Sequence, residues 1–358
     1  MPPSLSLGDT APSRHLEWKR SEPKIGAVLV TYNPHIGSLT ALLDRLLPQV
    51  DLIVLVDNGS ANADEILALA QELGIQTIAN QVNRGIATAQ NRGITAVLEC
   101  GCDLVVLSDQ DSLPEPKMVS KLYDCLIDAA AVANSGKGAP VAAVGPVPID
   151  TRATQSEDEA HDPSSALVYS FTKWGPKRRN IPSSEQTKDV PFILASGSLI
   201  PAQVLRHVGP MNESLFIDHV DLAWCMRAVA MGYRILVCGD ARLEHSLGEE
   251  QLELPTGRKI HVQSPTRNYY MVRNTLFLTN ASFMPWRWKA GYMSYLAKYT
   301  GFYALAGIVQ PKRWGELAAG FRDGIRAAPE ASDPGCSAGS LRSRIYAEVP
   351  PSAVALRQ

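Results

Sequence analysis

The sequence predicts an α/β protein: an open, mostly parallel sheet with helices on both faces, followed by a helical C-terminal segment rich in aromatic and basic residues. Three observations predict it. Short apolar runs such as 25–31 (IGAVLVT) alternate with stretches of helical periodicity, the rhythm of strand–helix–strand crossovers. The first, second and fourth runs end in the polar clusters Thr31-Tyr32-Asn33, Asp57-Asn58-Gly59 and Asp109-Gln110-Asp111. Sheets of this kind bind ligands at the carboxyl ends of their strands, beside a switch in strand order. Finally, the net charge of −2 is a cancellation: residues 1–256 hold 20 basic and 31 acidic groups, residues 257–326 hold 11 and 2, and the rest balance.

The elements follow in order. Residues 25–31 read as a strand buried on both faces, and Leu39, Leu42, Leu43, Leu46 and Leu47 as the apolar stripe of a helix. A second strand at 52–56 ends in the turn Asp57-Asn58-Gly59-Ser60; a helix at 64–73 and a short strand at 75–79 come next. Then come a helix at 86–99, a strand at 103–107, a helix at 117–131 and a fifth strand at 141–144. Residues 150–190 are polar and irregular and read as a loop excursion. The pattern resumes at 190–201, with a helix at 219–231 and strands at 234–237 and 241–245. The expected organisation is a flexible N-terminus at 1–23, an α/β domain at 24–256 (halves at 24–146 and 147–256), a helical region at 257–328 and a disordered tail at 329–358.

Composition excludes several classes. Hydrophobic content of 45% and charged content of 20% suit a folded chain, and near-neutrality excludes a polycation of the histone kind. The six cysteines form no CxxC pair, the first 22 residues lack an apolar signal core, and no window reaches 18 uncharged apolar residues. The expectation is a cytoplasmic protein with reduced thiols. No Walker A, HExxH or GxSxG pattern occurs.

The motif with the most chemistry is Ser108-Asp109-Gln110-Asp111-Ser112 after a buried strand. Two carboxylates at a strand end are costly unless a cation or hydroxyl groups use them, and hard oxygen donors suit Mg2+ or Mn2+ already held by phosphate. Asn83-x-Gly85-x-Ala87-x-Ala89-x-Asn91-x-Gly93 opens a helix with small residues, suited to a diphosphate at the helix N-terminus and equally to tight packing on the sheet.

VLVTYN at 28–33, VDNGS at 56–60, NRGIATAQNRG at 83–93, DQD at 109–111 and FIDHVDLAWCMR at 216–227 occur together and in this order. In them the chain resembles an inverting glycosyltransferase of family two, with the GT-A fold, over roughly residues 24–328. Within that family it is similar to bacterial rhamnosyltransferases that take dTDP-L-rhamnose. The resemblance implies a nucleotide site of Thr31, Tyr32, Asn33, Asp57, Asn83, Gly85, Asn91 and Asp109. Asp57 would accept the imide N–H of thymine, or would only shape its turn. Asp111, Asp109 and His245 would hold Mg2+ or Mn2+, and Asp221 would be the general base. Ser196, Gly197, Asp218, Trp224, Arg267 and Arg273 would lie on the acceptor or diphosphate side. For these six, bends, helix caps or core packing are the alternatives. The family often has Glu two residues after its base, where this chain has Ala223, which bears on acceptor preference.

Residues 257–326 hold 13 of the 24 aromatics, interleaved with cations including Arg287, Lys289, Lys298, Lys312 and Arg313. Peripheral contact with the inner face of the plasma membrane and a homo-oligomer or core face are both open; no nucleic-acid module is recognised. The implied enzyme moves L-rhamnose from dTDP-L-rhamnose to a polyprenyl-diphosphate-linked surface glycan such as O-antigen. Its alternatives are another donor sugar, such as a hexose or galactofuranose, a binding module without turnover, and a nucleotidyltransferase that would release inorganic diphosphate.

Overall fold

A computed structural model of the chain describes residues 22–150, 166–170, 172, 177–181, 187–245, 250–253, 259–308 and 310–327. The expected tail at 329–358 and most of the expected N-terminal segment lie outside these residues. The first half runs β1 (Ile25–Thr31), α1 (Ile36–Leu46), β2 (Leu52–Asp57), α2 (Ala63–Glu72), β3 (Gln76–Ala79), α3 (Ile86–Glu99), β4 (Leu104–Asp109), β5 (Ser112–Pro114) and α4 (Met118–Asn134). The second half contains β6 (Val141–Asp150), β7 (Ala166–Ser170), β8 (Lys177–Ile181), β9 (Lys188–Val190), β10 (Leu199–Pro201), α5 (Ala202–Val208), α6 (Val220–Ala230) and β11 (Arg234–His245). The hairpin β12 (Glu250–Glu253) and β13 (Lys259–Val262) leads to α7 (Pro265–Asn280), α8 (Trp286–Ala306) and α9 (Lys312–Ala327).

The main sheet has the order β3-β2-β1-β4-β10-β6-β11-β5, with β9 also paired to β11. Strands β1 to β4 are parallel, as are β6 and β11, whereas β10 is antiparallel to both β4 and β6. The sheet is therefore mostly parallel, as the sequence predicts. The apolar stretch 190–201 differs from expectation: its two ends form β9 and β10, and residues 191–198 between them form no strand. The expected strands at 234–237 and 241–245 are one strand, β11, whose register shifts between Val237 and Arg242. Part of the expected loop excursion at 150–190 is the hairpin β7–β8.

Period-two alternation divides the buried strand residues between two cores. Val28, Val54, Val56 and Val105 pack towards α3, α5 and α6, while Ala27, Leu29, Leu55 and Val106 pack towards α1, α2 and α4. Leu39, Leu42, Leu43 and Leu46 of α1 are all buried, each worth about 1.5–3 kcal/mol relative to exposure. A third cluster ties α7, α8 and α9 together through Val272, Leu296, Tyr299, Tyr303 and Leu317. Because β1 sits between β2 and β4, the chain reverses direction across the sheet there, and the crevice at the ends of β1 and β4 is the switch point.

Candidate active site

The ends of β1, β2 and β4 are cross-braced by their own polar side chains. Thr31, fully buried, donates its hydroxyl to Asp57 Oδ1 at 3.1 Å. Asp57 also accepts the Ser60 hydroxyl on Oδ1, and the Gly59 and Ser60 amides on Oδ2 at 3.2 and 3.0 Å. Both carboxylate oxygens of this buried residue are thus spent on its own turn, and a base N–H would have to replace one of these donors. Asn33 adopts φ 50°, takes the Ala61 amide on its side-chain oxygen (2.7 Å) and gives its own amide to Ser60 Oγ (2.8 Å). Tyr32 and Asn33 are exposed at this rim.

The side chain of Gln110 joins the β1 and β4 loops, accepting the Tyr32 amide at 2.6 Å and donating to the Tyr32 carbonyl at 3.0 Å. Sequence reasoning passed over Gln110, although its place between two aspartates was a signal. It passed over buried Asn58 as well, which links Asn80, Asn83 and the Arg84 amide in a ladder. Asn83 spends its side-chain oxygen on Asn58 Nδ2 and the Gly85 amide.

Two of the residues expected around the nucleotide are engaged with the segment before α6. Asn91 is buried in α3, gives Nδ2 to the Met211 carbonyl (3.0 Å) and Glu213 Oε1 (2.9 Å), and takes the Met211 amide on Oδ1 (2.9 Å). It tethers α3 to the segment before α6 and has no group left for a nucleotide. Gly85 has φ +85°, and a Cβ there would lie 2.6 Å from the Phe216 carbonyl oxygen, which also takes the Ile86 amide at 2.7 Å. The N-terminus of α3 thus faces the loop before α6.

Asp109 is the last residue of β4, and its amide is held by the buried Ser196 hydroxyl at 3.1 Å. Gly197, φ +79°, bonds back to Leu107, and a Cβ there would meet Pro146 at 2.6 Å. Ser196 and Gly197 therefore form the floor beneath the β4 end, the Ser196 oxygen accepting the Asp109 amide. Asp221, in the first turn of α6, accepts the Leu222 amide at 2.7 Å and is also hydrogen-bonded by the Ala195 backbone. The floor thus brings the β4 and α6 carboxylates together. Burial, then the charges of Asp111 and Asp221, push Asp109 up to about 7. Burial raises Asp221 to about 6 against the backbone hydrogen bonds that favour its charged form, with Asp218 adding to the rise.

Half-buried Asp109, raised by the charges of half-buried Asp221 and exposed Asp111, stands among hard oxygen donors of the kind a divalent cation takes. Among the described residues no three His, Cys, Asp or Glu side chains are grouped so as to hold a metal ion, so a cation at these carboxylates would need ligands from a bound diphosphate. His245 ends β11, where its backbone is in register with Ser112, the residue after Asp111.

The acceptor-side residues are redistributed. Trp224 is buried and gives its indole N–H to the Gly209 carbonyl at 2.9 Å, so it offers no face to a sugar. Arg267 forms a forked ion pair with Asp218 at 2.5 and 3.3 Å. Arg273 spans Asn274 Oδ1 and the Ser214 carbonyl and covers the Tyr270 ring. Both arginines are engaged with the segment before α6 through Nε and Nη2. Arg313 is fully buried over the Tyr303 ring and bonded to Asn268 and the Gln263 carbonyl, so it cannot meet lipid.

Known proteins share this architecture. Residues 27–141 match the domain described as glycosyl transferase family 2. The chain is 33% identical over 265 residues to the dTDP-rhamnosyl transferase RfbF of Shigella flexneri, covering 73% of this chain and 81% of that protein. The crystal structure of S. aureus TarS superposes at TM-score 0.50 with 15% identity, covering 89% of this chain and 52% of TarS, so this chain spans about half of TarS. A relative matched over most of both lengths, joined to the domain match in the β1–β6 half, shows that the chain belongs to glycosyl transferase family 2 and is a glycosyltransferase of the GT-A fold.

Proposed function

We propose that this enzyme transfers L-rhamnose from dTDP-L-rhamnose to a hydroxyl of a surface-polysaccharide acceptor, with inversion. The observation that carries the reading is the 33% identity to a dTDP-rhamnosyl transferase. The convergence of Asp109, Asp111 and Asp221 gives it a chemistry. Asp221 takes the proton of the acceptor hydroxyl as that oxygen bonds to the anomeric carbon and the bond to the diphosphate breaks. The products are dTDP and, from a β-linked donor, an α-L-rhamnoside. A bound Mg2+ or Mn2+ would neutralise the departing diphosphate, and Asp109 and Asp111 are the residues that would hold it; the side chain of His245, the third expected ligand, lies outside the described residues. Tyr32 and Asn33 line the base side, while Thr31 and Asp57 keep that rim in shape. Incubating the purified enzyme with dTDP-L-rhamnose and UDP- and GDP-sugars, with products weighed by mass spectrometry, is expected to yield dTDP release from the first alone. Turnover of a UDP-hexose instead would replace the donor assignment.

The acceptor is proposed to be lipid-linked, with the enzyme resting on the inner membrane face through α8. No described helix is long and apolar enough to cross a membrane. Yet α8 exposes Trp286, Met293, Phe302 and Leu305, with Ile308 just beyond its end, and it carries Arg287, Lys289 and Lys298 without one acidic residue. Such a surface suits anionic headgroups. Co-flotation with vesicles containing phosphatidylglycerol is expected to exceed that with phosphatidylcholine alone. It should fall in a Lys289→Gln, Lys298→Gln, Leu305→Ser variant; equal flotation of variant and parent would remove the lipid contact.

A further inference from the structure

We infer that Asn274, on α7, is a positioning residue for glycosyl transfer: its buried amide holds the left-handed loop that delivers Asp221. The inference rests on the reading of Asp221 as base. Between Leu215 and α6 the backbone takes positive φ at three non-glycine residues, Phe216 (62°), Asp218 (64°) and His219 (62°). Each such residue is strained and persists only where its surroundings over-determine it. A run of this kind also cannot satisfy its carbonyls by regular pairing.

The Leu215 carbonyl takes the Ile217 amide and the Phe216 carbonyl the Ile86 amide; Asn274 adds a side-chain donor from α7. It is fully buried, and its Nδ2 lies 2.9, 2.7 and 3.1 Å from the carbonyl oxygens of Leu215, Ile217 and Asp218. Its Oδ1 is held at 2.9 Å by Arg273 Nε, which fixes which end of the amide faces the loop. Arg267 and Tyr270, seven and four residues earlier on α7, meet the same loop through Asp218 and a 4.8 Å ring stack on Phe216. Thr275 donates its hydroxyl to the Met271 carbonyl, so its oxygen accepts from His219 Nε2 at 3.0 Å; burial holds His219 down at about 4, neutral at pH 7. Asp221 follows two residues after this loop, so its carboxylate is aimed by contacts made 50 residues later in the chain.

The full-length enzyme tests this with Asn274→Ser and the near-isosteric Asn274→Asp, which removes the donor. The expected result is a kcat lowered about 100-fold, with dTDP Kd within about threefold of the parent and faster hydrogen exchange confined to 215–221. A folded variant that keeps kcat within threefold of the parent overturns the inference, since a purely structural role would lower the melting temperature and spare turnover. The parent alone gives a second test that needs no variant: amides of 217–221 exchanging as freely as an open loop would also overturn it. Asp221→Asn run alongside separates the two readings. If it is inactive while folded Asn274 variants are active, only the positioning role fails; if it is fully active, the base assignment fails first.

Discussion

Asp221→Asn is expected to abolish sugar transfer while dTDP binding stays near the parent value. A positioned base contributes about 10²–10⁴-fold, so the loss should fall in that range or beyond. Asparagine is nearly isosteric and can still accept the Leu222 amide, so the fold of the α6 N-terminus is kept. The pH dependence carries the same assignment. Burial lifts Asp221 from 3.8 to about 6, and a base acts only when deprotonated. Turnover should therefore fall as pH drops through about 6, two units above where an ordinary aspartate would act. An acid limb near pH 4, or unchanged turnover in Asp221→Asn, would remove this residue from proton transfer.

The second large effect concerns the cation. EDTA is expected to stop transfer, Mg2+ or Mn2+ to restore it, and Asp111→Asn to lower the response to either ion by at least about tenfold. Stability supplies a readout independent of turnover. With its pKa raised to about 7, Asp109 binds its proton more tightly in the folded state. Its burial is thus tolerated while it is protonated, and stability is lost as pH rises from 3.8 through about 7. A divalent cation binding only the folded, ionised site reverses that loss. Mg2+ or Mn2+ should consequently raise the melting temperature at pH 8 clearly more than at pH 5. No metal-dependent shift at pH 8, with full activity in EDTA, would exclude the carboxylate pair as a cation site.

The sites behind these two predictions were legible to different degrees. Asp109 and Asp111 stand out because a buried apolar run, 104–107, leads into them, and a strand end is a property of local pattern. The same holds for Thr31 and Asp57 at the ends of β1 and β2. Asp221 was visible through the 216–227 motif. What motif reading could not give is how the polar side chains around these carboxylates are used. Asn91 finds Met211 and Glu213 about 120 positions away, Ser196 finds Asp109 across 87, and Arg267 finds Asp218 across 49. A side-chain amide, hydroxyl or guanidinium fits a ligand or a distant backbone group equally well, and sequence spacing does not distinguish the two. Asn274, last residue of RNYYMVRN, is such a case: nothing nearby in sequence announces the three carbonyls it bonds.

By itself, then, the sequence determined the alternation of strands and helices, the mostly parallel sheet, and the division into an acidic body and a basic, aromatic C-terminal segment. These follow from hydrophobic period and charge, which act within a few residues. Only the tertiary structure decided that Trp224 and Arg313 are interior, that β10 runs against its neighbours, and that α7 reaches back to hold the loop carrying Asp221. Burial and hydrogen-bond partnership are properties of the packed chain: each depends on which distant segment fills the space opposite, and that is settled when the whole core closes.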